Sequence, residues 1–137
     1  MVAASALVGG CAPEQPAAAN SKAFGCYTAT QAPAIQLDEQ GMTIVQQAPI
    51  RIGFQIDRPR NDLILTANAP IAASLAGTDY VFLITPRGVG RYLDFFSEID
   101  GRLYGVRDEN ALRNFTMIAE DGTSLRYRKA SPNECRV

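Results

Sequence analysis

The carboxylates that could do chemistry in this chain are concentrated in one stretch, Asp94-Phe95-Phe96-Ser97-Glu98-Ile99-Asp100. Their even spacing places Asp94, Glu98 and Asp100 on one face of a strand, and paired carboxylates hydrolyse glycosides. The sequence has no histidine, which excludes Ser-His-Asp and Cys-His catalysis. Because a solvated strand face followed by a turn aspartate explains the same pattern, we expect no catalytic residue and a protein that is not an enzyme.

Metal and phosphate sites find no support in the sequence. The paired acids Asp38-Glu39, Asp108-Glu109 and Glu120-Asp121 occur at expected turns, and none forms a calcium loop. Three cysteines without histidine or a Cys-x-x-Cys pair do not make a structural zinc site. Gly88-Val89-Gly90 lacks the rest of a phosphate-binding fingerprint. We therefore expect no metal and no cofactor.

The composition is that of one globular domain. The chain has 137 residues, of which 47% are apolar and 20% charged, so one core can form. Thirteen basic residues face 14 acidic ones, for a net charge of −1, which argues against a nucleic-acid partner. No apolar run approaches the roughly 18 residues that span a bilayer.

Arginines in two turn clusters are the candidate binding residues. Arg58 and Arg60 flank a proline, and Arg87 and Arg91 flank the Gly88-Val89-Gly90 stretch. A guanidinium group recognises carboxylates through paired hydrogen bonds. We expect these two loops to be the candidate surfaces for a partner.

The start of the chain resembles the end of a bacterial lipoprotein signal peptide. Val8-Gly9-Gly10-Cys11 fits the lipobox of that family, in which an aliphatic residue and small residues precede the cysteine that receives the lipid. Residues 1–10 are then a signal-peptide remnant, and 11–23 are the lipidated Cys11 with a Pro/Ala tether. The resemblance implies a lipid anchor in the bacterial envelope, and Ala12 after the acceptor implies the outer membrane, facing the periplasm.

The remaining cysteines then have an expected role. With Cys11 lipidated, Cys26 and Cys135 stand near the two ends of the folded segment, and an oxidising periplasm lets them pair. The alternative is two separate reduced cysteines in a core. In a small barrel the first and last strands are neighbours, so a disulfide would fasten that seam.

Alternating apolar residues predict an all-β domain over residues 24–137. Ile50–Asp57 carries an apolar residue at every even position, the pattern of a strand with one buried face, and Leu63–Ala67 reads as its return strand. Further strands are predicted near Phe24–Ala29, Ile35–Leu37, Met42–Gln46, Ile71–Leu75 and Tyr80–Thr85. We expect a small antiparallel barrel or sandwich of about 8–10 short strands, with at most one short helix near 108–113.

Three finer predictions concern pairing and cover. Both faces of Tyr80–Thr85 are apolar, which predicts a central strand covered on both sides. Asp121-Gly122 predicts a two-residue hairpin turn, with the core pairs Ile118–Leu125 and Thr116–Tyr127. Asp100-Gly101 predicts a second such turn, with the pairs Phe95–Val106 and Asp94–Arg107.

These features predict a non-enzymatic envelope lipoprotein that binds a protein or cell-wall partner through its surface. In outline it is similar to lipoprotein lysozyme inhibitors, which implies a loop with a serine or a basic residue aimed at the carboxylates of the enzyme. The outline is also similar to lipocalin-like lipoproteins, which implies the alternative of a carrier with a small apolar ligand inside the barrel. The sequence does not give the oligomeric state.

Overall fold

The computed structural model describes residues 20–88 and 90–136. The expected signal-peptide remnant, Cys11 and the tether up to residue 19 lie outside the described residues. Asn20 and Ser21 are helical, and the rest of the described chain forms antiparallel strands, their connections and two short 3₁₀ turns, Glu109–Ala111 and Pro132–Cys135. The strands are β1 Gly25–Ala29, β2 Ala32–Asp38, β3 Gly41–Val45, β4 Ile50–Ile52, β5 Phe54–Asp57, β6 Ile64–Ala67, β7 Ile71–Ala76, β8 Asp79–Ile84, β9 Tyr92–Ile99, β10 Arg102–Gly105, β11 Asn114–Ile118 and β12 Ser124–Ala130.

Ten of these strands form one nearly closed, barrel-like sheet, so the all-β prediction is confirmed. The order across it is β4-β3-β2-β1-β12-β11-β9-β6-β5, with β10 paired to β9. Its two outer strands, β4 and β5, follow each other in the chain and are separated only by Gly53. The strand predicted over Ile50–Asp57 therefore exists, but it is divided at Gly53 between the two edges of the sheet.

Side-chain amides lie at the bend between β4 and β5. A Cβ at Gly53 would overlap the amide of Asn68, which would have to shift. On the free edge of β5, Asn20 Nδ2 donates to Phe54 O at 3.0 Å and Ile56 N donates to Asn20 Oδ1 at 3.0 Å. Asn20 thus supplies the hydrogen bonds of a missing strand residue. The packed body begins at least by Asn20, before the boundary expected at 24.

The barrel has two ends, defined by the direction of its strands. We call the end where β1 begins the near end; it carries Asn20, the β5–β6 turn and the β9–β10 hairpin. We call the opposite end the far end; it carries the β1–β2 and β11–β12 turns and the separate β7–β8 hairpin. The segment that leads towards Cys11 therefore joins the domain at the near end.

Aromatic rings fill the interior of the barrel. Phe95, Phe115 and Tyr127 lie side by side in register on β9, β11 and β12. The Phe115 ring centroid is 5.8 Å from that of Phe95, 5.3 Å from that of Tyr127 and 4.7 Å from that of Tyr27. All four side chains are at most 1% exposed. Burial of each ring stabilises the fold by about 1.5–3 kcal/mol.

The predicted disulfide is confirmed. Cys26 on β1 is bonded to Cys135 in the 3₁₀ turn that follows β12, across a sequence separation of 109. β1 and β12 are paired, with Cys26 opposite Ala130. The bond therefore fastens the junction of the first and last strands of the barrel. The 3₁₀ turn at Pro132–Cys135 is additional to the short helical turn at Glu109–Ala111, which falls within the predicted 108–113.

The two predicted hairpin registers have different outcomes. At Asp100-Gly101 both residues have positive φ, 52° and 80°, and Ile99 pairs with Arg102 as predicted. The ladder ends at Phe96–Gly105, so the expected pairs Phe95–Val106 and Asp94–Arg107 do not form. The register predicted around Asp121-Gly122 is wrong by one residue. The turn holds three residues, with only Gly122 at positive φ, and the core pairs are Met117–Leu125 and Phe115–Tyr127.

The β7–β8 hairpin, which we call the lid hairpin, closes the far end. Its inner side chains Ile71, Ala73, Tyr80 and Phe82 are buried in the core. Along the β8 edge, Phe82 N donates to Gln46 Oε1 at 2.9 Å and Gln46 Nε2 donates to Phe82 O at 3.0 Å. Along the β7 edge, Glu120 N donates to Ala73 O at 2.9 Å. The prediction of a central strand at Tyr80–Thr85 is wrong, since β8 pairs only with β7 and its outer face is exposed.

Candidate functional site

The four candidate arginines lie at opposite ends of the barrel. Arg58 and Arg60 belong to the β5–β6 turn at the near end, and Arg87 and Arg91 belong to the β8–β9 connection at the far end. They therefore form two separate surfaces rather than one basic site.

Two of the four guanidinium groups are used inside the domain. Arg58 Nη1 donates to Arg107 O at 2.8 Å, and its Nη2 is 3.6 Å from Glu109 Oε2. Arg91 Nε donates to Ala67 O at 2.9 Å, which ties the β8–β9 connection to β6. Both arginines connect segments of the chain that are distant in sequence, so each stabilises the fold.

Arg60 and Arg87 are the two that remain free. Both are exposed, and neither guanidinium has a side-chain or ring partner within residues 20–88 and 90–136. An arginine that is already bonded must exchange one partner for another on binding, whereas a free one gains hydrogen bonds. Arg60 and Arg87 are thus the better candidates for contacts with another molecule.

A tight turn holds Arg87 in place. Gly88 N donates to Thr85 O at 2.9 Å, which closes a β-turn with Pro86 at its first central position, where proline is favoured. A Cβ at Gly88 would overlap the backbone of Ile71, so this glycine packs directly on β7. Two residues later, Gly90 N donates to Ile71 O at 2.8 Å. The turn is therefore clamped to the lid hairpin, and little ordering is needed before Arg87 binds.

Exposed apolar side chains precede this turn on β8. Leu83 is 56% exposed, Ile84 is 55% exposed and Val81 is 39% exposed. Leu83 and Val81 lie on the outer face of β8, and Ile84 lies at the base of the hairpin next to the turn. We call Val81, Leu83, Ile84 and Arg87 the distal patch. An arginine beside apolar side chains is the composition found at the energetic centre of protein interfaces.

The three carboxylates considered for catalysis do not converge. Glu98 is paired with Arg128, with Oε1 2.9 Å from Nη2. Asp100 lies in the exposed β9–β10 turn. Asp94 lines a cleft of about 340 Å³ on the outer wall, together with Asp62 and Tyr104. Desolvation in this cleft, and then the charge of Asp62, raises the pKa of Asp94.

Asp62 is the cleft residue that sequence reasoning missed. It belongs to a turn cluster where aspartate is ordinary, and it reaches the cleft because β6 and β10 lie end to end along β9. A Cβ at Gly105 would overlap its carboxylate, and Arg107 Nε lies 3.2 Å from Asp62 Oδ1. Since Asp62 is engaged by Arg107, the cleft offers one carboxylate with a raised pKa, without a nucleophile and base in contact.

The described residues give no support to a ligand carrier or a metal site. The ring cluster fills the barrel interior, and the clefts of the described residues, about 310–490 Å³ in volume, are open to solvent at the surface. The carrier alternative therefore gains no support. Over residues 20–88 and 90–136, no group of three or more potential metal ligands occurs. In the same residues, no helix is long and apolar enough to cross a membrane.

Comparisons with known proteins add no assignment. No family model, no curated protein and no solved structure matches the chain.

Proposed function

We propose that this chain is a non-enzymatic lipoprotein of the bacterial envelope, anchored through Cys11, that binds a protein partner with its distal patch. The observation that carries the proposal is the clamped turn, which presents a free Arg87 directly after a strand with the exposed apolar side chains Leu83 and Ile84. The pairing of Cys26 with Cys135 supports it, because it leaves Cys11 as the one thiol available for a lipid.

The position of the patch supports the proposed orientation. The chain leads towards Cys11 from the near end, and the distal patch is at the far end. An anchored domain in this orientation faces the outer-membrane surface with its near end and the periplasm with Arg87. Soluble periplasmic proteins could then reach the patch without crossing the head groups.

The chemistry of the patch favours an acidic partner. A free guanidinium binds a carboxylate through two parallel hydrogen bonds, and apolar side chains nearby on the patch would help a partner exclude water from that contact. Lysozymes have carboxylates in an open cleft, and a basic turn inserted there would inhibit them. Inhibition of a lysozyme is therefore the specific form of the proposal, and an envelope protein with an acidic, apolar-rimmed surface is its general form.

The test combines a binding assay with matched variants. Purified domain is added to lysozymes in micromolar excess, and both activity and binding are measured. We expect Arg87→Ala to weaken binding by ~30-fold or more, as for a residue at the centre of an interface. Arg60→Ala, which removes an equally exposed arginine at the near end, should change nothing. Unchanged lysozyme activity rejects the inhibitor form, and binding that survives Arg87→Ala rejects the distal patch.

The anchor is tested separately. Labelled palmitate should be incorporated when the full chain is expressed in bacteria, and Cys11→Ala should abolish the label. Cys26→Ala is the matched control and should retain it. A label that persists in Cys11→Ala would contradict the proposed anchor.

A further inference from the structure

The β9–β10 hairpin extends the near end of the barrel and has one face of distinctive composition. Ile99 pairs with Arg102, and Ser97 pairs with Tyr104. Because directly opposite residues share a face of the sheet, Ile99, Arg102 and Tyr104 lie on the same side. Ile99 is 57% exposed and Tyr104 is 46% exposed. A large aliphatic side chain and an aromatic ring thus meet solvent at the tip of a two-stranded projection.

The charge on this face is a single free arginine. Arg102 is exposed, and its guanidinium has no side-chain or ring partner in the part of the chain that the structure describes. The neighbouring Asp100 stands in the turn with φ of 52°, a conformation that aspartate tolerates better than most residues. An aliphatic residue, a tyrosine and a free arginine form the combination that is enriched where proteins meet lipid head groups.

The β9–β10 hairpin lies at the near end of the barrel, the end to which a lipid on Cys11 would be tethered. Eight residues separate Cys11 from Asn20, so the two Cα atoms are at most about 30 Å apart when this segment is fully extended. Asn20 is fastened to β5, and Lys22 Nζ donates to Asn110 Oδ1 at 3.1 Å in the β10–β11 connection. This connection is at the near end, from which the β9–β10 hairpin projects. The far end lies further from Asn20 by about the length of β9, which is about 26 Å for its eight residues. A lipid on Cys11 would hold the near end close to the bilayer.

We infer that the β9–β10 hairpin is a second membrane contact, in which Ile99 and Tyr104 enter the head-group region and Arg102 meets lipid phosphates. This inference rests on the proposed anchor at Cys11, because a single short hairpin has too little apolar surface to hold the domain alone. Its consequence is a fixed orientation. With two points of attachment, the domain stands with its near end on the bilayer and its distal patch in the periplasm.

The chain offers a clean probe for this contact, because it contains no tryptophan. Tyr104→Trp places one fluorophore on the hairpin face. Tyr92→Trp is the matched control, since Tyr92 is 58% exposed and begins β9 at the far end. The full lipidated chain is reconstituted into phosphatidylethanolamine–phosphatidylglycerol vesicles with brominated acyl chains. Flotation reports anchoring, and bromine quenching reports the depth of each tryptophan.

The expected result is that both variants float and that the tryptophan at 104 is quenched and blue-shifted while that at 92 is not. Equal quenching at both positions, or quenching at neither, would overturn the hairpin contact while leaving the anchor intact. A chain that fails to float would overturn both. Adding Ile99→Ser should reduce quenching at 104, whereas Ile118→Ser, at an exposed isoleucine of the far end, should not. Unchanged quenching in Ile99→Ser would also contradict the inference.

Discussion

Replacing Gln46 by alanine should loosen the β8 edge of the lid hairpin and destabilise the domain. The Gln46 amide makes two hydrogen bonds to the backbone of Phe82, of 2.9 and 3.0 Å, and it does so as a strand residue would. Its removal leaves a donor and an acceptor on the β8 edge without their partner. Each lost hydrogen bond costs ~0.5–1.5 kcal/mol, and a buried group left unpaired costs ~1–3 kcal/mol.

The size of the effect follows from the partial burial of Gln46. Water reaches part of the exposed edge and replaces some of the lost bonding, so the free energy of unfolding should fall by about 1–2 kcal/mol. For a domain of this size the midpoint of thermal unfolding should fall by about 4–8 °C. Gln46→Glu should also destabilise, because it keeps an acceptor for Phe82 N but places a carboxylate against Phe82 O.

Urea unfolding and amide hydrogen exchange measure the two parts of this prediction. Gln47→Ala is the matched control, since Gln47 is the exposed neighbour and makes no hydrogen bond through its side chain within the described residues. The Phe82 amide should exchange faster in Gln46→Ala, and the amides of β1 and β12 should change little. Equal unfolding midpoints for the Gln46 and Gln47 variants, with an equally protected Phe82 amide, would show that the Gln46 hydrogen bonds do not stabilise the lid hairpin.

Three further predictions concern the disulfide and two aspartates. The double variant Cys26→Ala, Cys135→Ala should unfold with ~4–5 kcal/mol less stability, because the bond closes a loop of about 110 residues; urea curves should show it, and an unchanged midpoint would contradict it. NMR titration should place the pKa of Asp94 above its usual value, owing to desolvation and then Asp62. The raised pKa means that protonated Asp94 stabilises the folded state below the unfolded pKa, and this stabilisation is lost as the pH rises through the folded pKa. Asp94→Asn should therefore stabilise the domain more at pH 7 than at pH 3, and equal effects at both pH values would count against a desolvating cleft at Asp94. Tyr80→Phe should raise the lowered pKa of Asp121 towards its usual value, although the Thr123 amide remains the larger cause; an unmoved titration would show that the Tyr80 hydroxyl does not contact Asp121 in solution.

Strand positions could be predicted from the sequence because most strands bury one face. Ile50–Asp57 and Leu63–Ala67 alternate as the core requires, and the structure has strands at both. The pairing of Cys26 with Cys135 followed from their positions at the ends of the folded segment. The division at Gly53 could not be predicted, because it depends on Asn68 and Asn20 meeting the bent strand from distant parts of the chain.

The two Asp-Gly turns have different lengths, and the sequence around each turn does not predict this difference. Asp100-Gly101 adopts the two-residue turn with both φ values positive, whereas in Asp121-Gly122 only the glycine does. The Asp121 carboxylate accepts from Thr123 N at 3.0 Å and from the Tyr80 hydroxyl at 2.8 Å. The contact with Tyr80 on the lid hairpin is tertiary, and it favours the longer turn. The same dipeptide therefore gives a different register because of a residue 41 positions away.

The candidate site was predictable in part. Arg87 stood out as an arginine in a turn, but the sequence does not distinguish it from Arg58 and Arg91, whose partners are backbone carbonyls of other segments. The exposure of Val81 and Leu83 also could not be predicted from the sequence. An apolar strand reads the same whether its second face is covered by the protein or open to a partner.

The most direct test of the central claim is the mass of the mature protein isolated from bacterial membranes. If Cys11 is the lipid anchor, the mature chain begins at Cys11 and carries the mass of a lipid modification. Digestion without reduction should also yield a peptide in which Cys26 and Cys135 are linked. A mature chain with a free, unmodified thiol at Cys11, or with Cys11 bonded to either of the other two cysteines, would contradict it.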